Sequence, residues 1–171
     1  MQFNEIPTLE SERLWLRPFR PADVPAFAAM WGDPEVMHGL GKKKPCEPDV
    51  AWRHLAFLIG QWPLAGCGMW AVEEKETGAF LGRIGYAHPP GWPGFELSWA
   101  LARPYWGRGF ATEGARTALD HAVNVLGRDR VISLILDDNQ ASIRVAERLG
   151  MRLEGRAMAD DLECLLYATS R

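Results

Sequence analysis

The sequence predicts an α/β fold of the α+β kind, one domain over residues 1–171, with a mixed, mostly antiparallel sheet, a central parallel strand pair and flanking helices. Three observations predict it. A chain of 171 residues with 47% hydrophobic content is long enough for one substantial core and short for two. The spacing of apolar residues alternates between the helical period and the strand period along the chain. A strand, a long helix and a second, nearly continuous apolar strand follow one another in the C-terminal half, and such a crossover implies two parallel strands.

The elements follow in order. Arg13 to Arg17 alternates polar and apolar before Pro18 and reads as a first strand. Pro21-Ala22-Asp23 opens a helix whose Val24, Phe27, Ala28 and Trp31 recur at helical spacing, and Gly32-Asp33-Pro34 stops it. Gly39 to Pro48, with three lysines and two prolines, is expected to be an exposed loop. A second helix from about Asp49 to Trp62 would present Trp52, Leu55, Phe57 and Ile59. Met69–Val72, Phe80–Tyr86 and Phe95–Leu101 then have strand period, joined by the hairpin signal Glu76-Thr77-Gly78 and a Pro/Gly-rich turn from His88 to Gly94. Helical period returns at Ala111, Ala115, Ala118, Leu119, Ala122, Val123 and Leu126, with Gly127 as the stop. Val131–Leu136 is an apolar run suited to a strand buried on both faces. After Asp137-Asp138-Asn139 a shorter helix carries Ile143, Ala146 and Leu149 and ends at Gly150, and strands at about Met151–Met158 and Leu162–Ala168 close the sheet.

Charge and cysteine usage narrow the function classes. Lys and Arg total 19 against 22 Asp and Glu, a formal net charge of −3, which points away from nucleic-acid and anionic-membrane partners. Cys46, Cys67 and Cys164 lack metal-ligand spacing, so neither a disulfide framework nor a metal site is expected, and a reducing, cytoplasmic setting is the simpler reading. No stretch resembles a signal peptide or a membrane span. Eight tryptophans are the compositional oddity, and they read as core and pocket lining.

The chemistry concentrates in the turn Trp106-Gly107-Arg108-Gly109-Phe110-Ala111. It lies between a strand and the start of a helix, where unpaired backbone N–H groups and the positive end of the macrodipole converge. Two glycines remove the Cβ atoms that would hold a phosphate off the backbone, and Arg108 adds charge at the rim. Close helix–sheet packing also uses small residues, so the turn alone is moderate evidence. A P-loop is excluded because no Gly-x-x-x-x-Gly-Lys-Ser/Thr string occurs. A dinucleotide fingerprint is excluded because Thr112 stands where glycine or alanine is required.

The string ELSWALARPYWGRGFATEGARTAL resembles the acetyl-CoA-binding motif of the GNAT acetyltransferases. The opening ESERLWLRPFRPADVPAFAAMWGDPEVM and the later DDNQASIRVAERLGMRLEG are similar to the branch that acetylates the N-terminal amine of ribosomal proteins and includes small-molecule relatives, so the likeness spans nearly the whole chain. It implies transfer of acetyl from acetyl-CoA to a primary amine, a protein N-terminus or a small molecule, by a monomer or homodimer without a metal. It further implies that the coenzyme pyrophosphate lies on the amides of Gly107, Arg108, Gly109, Phe110, Ala111 and Thr112, beside Trp106. The pantetheine arm would pair with the exposed backbone of Trp99, Ala100 and Leu101, where two parallel strands splay, and with Asn139, which also reads as an ordinary helix N-cap. Backbone N–H groups near Leu101 would polarise the thioester carbonyl.

Many members of that family carry a tyrosine acid at the position of Ala146, so here the group that protonates the departing thiolate is missing. Ser142 is the candidate replacement, with a plain first-turn polar role as its alternative. The reaction also needs an uncharged amine, and Glu96 is the candidate base: Glu96, Ser98 and Ala100 share one strand face, opposite Phe95, Leu97, Trp99 and Leu101. Its alternative is a solvent-face charge. Glu113, in the first turn of the long helix, reads as structural. His38, the Gly39–Pro48 loop, His88 and Trp92 are placed by the likeness around the amine-binding mouth. An acetyl-CoA-binding sensor or catalytically weak module is the alternative function, and a tryptophan-rich interaction module a third.

Overall fold

The computed structural model describes residues 5–42, 44–159 and 161–169. It forms one eight-stranded sheet in the order β1-β2-β3-β4-β5-β6-β8-β7. The strands are β1 (Leu9–Glu10), β2 (Leu14–Arg17), β3 (Met69–Glu74), β4 (Phe80–Ala87), β5 (Glu96–Leu101), β6 (Ile132–Ile135), β7 (Arg152–Ala159) and β8 (Leu162–Ala168). The helices are α1 (Val24–Trp31), α2 (Pro34–Gly39), α3 (Pro48–Ala65), α4 (Phe110–Asn124) and α5 (Gln140–Arg148). Every strand pair is antiparallel except β5 with β6, the pair joined by the α4 crossover.

Each face of the sheet is closed by a different set of helices. Leu14, Leu16, Val72, Ile84, Tyr86 and Leu97 face Phe110, Ala115, Ala118 and Ala122 of α4, and Val145, Ala146 and Leu149 extend the same core to α5. The opposite face packs Met69 under Phe27, Met30 and Trp31 of α1 and under Ala51, Leu55 and Leu58 of α3. Small residues let α4 sit close: a Cβ at Gly114 would meet the tip of Ile84 at 2.6 Å.

Two readings of the sequence are corrected. The stop at Gly32-Asp33-Pro34 holds, since α1 ends at Trp31, but Pro34 also opens α2, a helix not expected from the sequence, whose N-cap Asp33 accepts from the Glu35 N–H at 2.9 Å. Proline fits there because a first-turn N–H has no intrahelical partner to lose. The second helix begins at Pro48 and continues to Ala65, and of the four apolar residues assigned to it only Leu55 is buried, while Trp52, Phe57 and Ile59 are exposed. Ala51, Leu58 and Trp62 complete its inner face, because alternating four- and three-residue spacing from Ala51 sets the stripe rather than side-chain size. The short β1 precedes the strand expected to be first, and the other elements match within a few residues, including the hairpin turn at Gly78 (φ 70°) and the stop at Gly127 (φ 64°).

Candidate active site

The turn after β5 is built for an anion. A 3-10 turn (Arg103–Tyr105) leads to Gly107 at φ 73° and Gly109 at φ 82°, and Gly109 is the N-cap of α4 without a side chain to cap it. The first α4 bond to the cap runs from the Glu113 N–H to the Gly109 carbonyl at 3.0 Å, leaving the amides of Phe110, Ala111 and Thr112 directed out of the helix end. Phe110, 1% exposed, anchors that end in the core. Arg13 and Arg108 lie over its ring at 4.5 and 4.6 Å.

A cleft of about 670 Å³ opens from this turn and runs between α2 and α5 to the exposed edge of β5. Its walls include Trp99, Ala100, Leu101, Trp106, Gly107, Gly109, Phe110, Ala111, Thr112, Asn139 and Ser142. Arg108 is the sequence-predicted member absent from those walls, because its guanidinium pairs with Glu74 at 3.1 Å. Positive charge at the rim comes instead from Arg144 and Arg148, two residues of the cleft wall one turn apart on α5. Their i,i+4 spacing was the available signal for a common face.

The sheet parts where the cleft ends. The β5–β6 ladder has one register pair, Glu96 with Ile132, and the Ile132 N–H donates to the Phe95 carbonyl at 2.9 Å. Beyond it, the Ser133 hydroxyl donates to the Leu97 carbonyl at 2.7 Å, and the Leu134 N–H is directed to the Glu96 carboxylate. Side chains thus take the main-chain groups that would have continued the ladder. On β5 the Trp106 indole donates to the Leu101 carbonyl at 2.7 Å.

Glu96 lies at the apex of this opening, 6% exposed. The Trp92 indole N–H donates to its carboxylate at 2.7 Å. Burial pushes its pKa up to about 7, against the opposing effects of the Trp92 hydrogen bond, the Arg83 charge and the Leu134 N–H. It borders a second cavity of about 40 Å³ that shares Gly39, Leu40, Trp99, Asn139 and Ser142 with the cleft.

Ser142 accepts a hydrogen bond from the Trp99 indole at 3.2 Å, which leaves its own proton free to be donated. Asn139 caps α5 by accepting from the Ser142 N–H at 3.1 Å, and its amide donates to the Gly39 carbonyl at 3.1 Å. A His38–Asp138 contact of 2.9 Å ties the end of α2 to the same turn. His88 turns away to the Gly94 carbonyl at 3.0 Å. Ala146 is fully buried in the α4-side core. Glu113 binds Ser11 and the backbone and guanidinium of Arg13 at 2.7 Å each, and so ties the β1–β2 turn to α4. Among the described residues no group of three His, Cys, Asp or Glu is arranged to hold a metal, and no helix is long and apolar enough to cross a membrane.

Comparison with known proteins bears on this geometry. Residues 13–152 match the acetyltransferase (GNAT) domain family. The chain is similar to the uncharacterized protein YkkB of Bacillus subtilis (strain 168), 34% identical over 149 residues that make up 84% of each chain. It is similar to the crystal structure of an acetyltransferase from Agrobacterium tumefaciens str. C58, with 33% identity, a TM-score of 0.88 and coverage of 100% of this chain and 98% of that one. The ribosomal L7/L12 alpha-N-protein acetyltransferase RimL, solved in complex with coenzyme A, shares the fold at 18% identity and a TM-score of 0.78, covering 95% of this chain and 97% of that one.

Proposed function

The chain belongs to the GNAT acetyltransferase family, and from that premise we propose that it moves the acetyl group of acetyl-CoA directly to a primary amine, with Glu96 as base and Ser142 as acid. The observation that carries this reading is that the cleft leading from the glycine turn and the small cavity beside Glu96 share walls at Gly39, Leu40, Trp99, Asn139 and Ser142. Acetyl-CoA supplies an activated thioester. The amides from Gly107 to Thr112 hold its pyrophosphate, and the edge of Trp99 to Leu101, apart from the Leu101 carbonyl bonded to Trp106, aligns its arm.

Glu96 accepts a proton from the bound ammonium, directly or through water. A carboxyl that titrates near 7 is half ionised at neutral pH and lies within roughly one unit of an α-amine, whose ordinary value is about 8. The neutral amine then attacks the thioester carbonyl, so a C–N bond forms as the C–S bond breaks. Ser142 gives its proton to the departing sulfur and regains one from the acylated nitrogen. Trp99 holds the Ser142 oxygen for that exchange.

Ala146, which cannot serve as an acid, favours a second reading, an acetyl-CoA-binding module without turnover. Release of free thiol from acetyl-CoA across a panel of amines decides between them. Amine-dependent release is expected; binding of acetyl-CoA without release would support the second reading, and no binding would end both.

A further inference from the structure

Arg83 is a buried cation whose charge bears on Glu96 but which no described carboxylate pairs directly. It is 6% exposed, its Nε has no hydrogen-bond partner, and among the described residues no carboxylate lies within ion-pair distance. Its Nη1 donates to the Ser98 hydroxyl at 3.1 Å and approaches the Met69 sulfur at 3.5 Å, so neither partner is charged. Trp31 lies across the guanidinium at 5.7 Å and limits its turn toward solvent. A buried cation compensated, among the described residues, only by Glu96 beyond ion-pair distance is costly, which makes the position a candidate anion seat.

Arg83 borders neither cavity, and Ser98 is its link to the smaller one. Ser98 accepts from Arg83 and therefore has its own proton to donate, and Ser98 and Glu96 both border the cavity of about 40 Å³. Gly85 stands beside Ser98 in the β4–β5 ladder, so no side chain crowds it there. Glu96 and Ser98 are two residues apart on one strand face, a separation of about 7 Å. The two side chains are thus near enough for the amine and the carboxylate of one amino acid to reach both.

We propose that Ser98 backed by Arg83 is the carboxylate-binding half of the acceptor site, and that the acceptor is a free amino acid or close analogue, its nitrogen at Glu96 and its carboxylate on Ser98 and Arg83. This rests on the assignment of Glu96 to the amine side of the reaction. A peptide N-terminus offers a neutral carbonyl at the same place, and a simple alkyl amine offers nothing.

The test is a set of matched acceptors, each amino acid beside its carboxamide and its decarboxylated amine, run by thiol release and by calorimetry on the coenzyme A-loaded protein. For the preferred side chain, kcat/KM is expected to favour the amino acid by about thirtyfold or more. Arg83→Gln should reduce that preference to within about threefold, and Ser98→Ala, a small change less apt to disturb folding, should reduce it in the same direction. Calorimetry should register the amino acid and not its amide. Equal use of all three acceptors by the unmodified protein, or a preference that survives both substitutions, overturns the carboxylate seat while leaving acetyl transfer standing. No thiol release with any amine removes acetyl transfer and this proposal together.

Discussion

At Glu96 three donors or charges converge on one carboxyl from separate segments: Trp92 from the β4–β5 turn, Leu134 from β6 and Arg83 from β4. Burial nonetheless dominates and sets titration near 7, so the ionised, proton-accepting form grows as pH rises through that value. The kcat/KM profile should therefore show an ascending limb near pH 7. In Glu96→Gln that limb should vanish, with a loss of about a hundredfold at pH 7 that narrows at pH 9, where more amine is already free. Ser142→Ala should lower kcat by roughly tenfold to a hundredfold while KM for acetyl-CoA changes little, read by steady-state kinetics. Alternation along β5 was enough to place Glu96 and Ser98 on one face. The partners were not legible, because Arg83, Trp92 and Leu134 reach that face through pairings and turns that no local pattern encodes.

Among the elements, the join between β5 and α4 was the most readable, since the two glycines announce positive φ and the helical period starts immediately after them. Arg108 reads as a rim charge beside the turn, and in the structure its guanidinium pairs with Glu74 of β3 at 3.1 Å. Gly109→Trp should abolish acetyl-CoA binding in calorimetry, because an indole would fill the space in front of the α4 amides. A left-handed φ held by a non-glycine residue costs about 1–2 kcal/mol, so a thermal melt should show α4 still formed. The short helix α2 was lost to the reading because proline marks both a helix end and a helix start. Its Gly39 and His38 contacts with Asn139 and Asp138 bring it to the cleft, which is a consequence of tertiary packing.

For the molecule as a whole, the parallel pairing of β5 with β6 was legible through the crossover rule, whereas the buried polar links that fasten its N-terminal part were not. Arg17 and Asp23, each about 5% exposed, form a bidentate pair at 2.7 and 2.8 Å, and Glu73 adds a contact of 2.6 Å. Burial alone would raise the Asp23 pKa, but the Arg17 hydrogen bonds and charge and the Arg20 N–H outweigh it and hold the carboxyl below its ordinary value. The stabilisation is therefore complete above the ordinary aspartate range and is lost as pH falls through the depressed folded value. Asp23→Ala should cost about 3–5 kcal/mol at pH 7, measured as a lowered denaturant midpoint, and the gap to the unmodified protein should shrink in strong acid. The meagre β5–β6 ladder carries one last implication. A ligand lying in that gap would act as a missing stave, bridging the two portions of the sheet, so saturating coenzyme A should raise the melting temperature of both together as one transition.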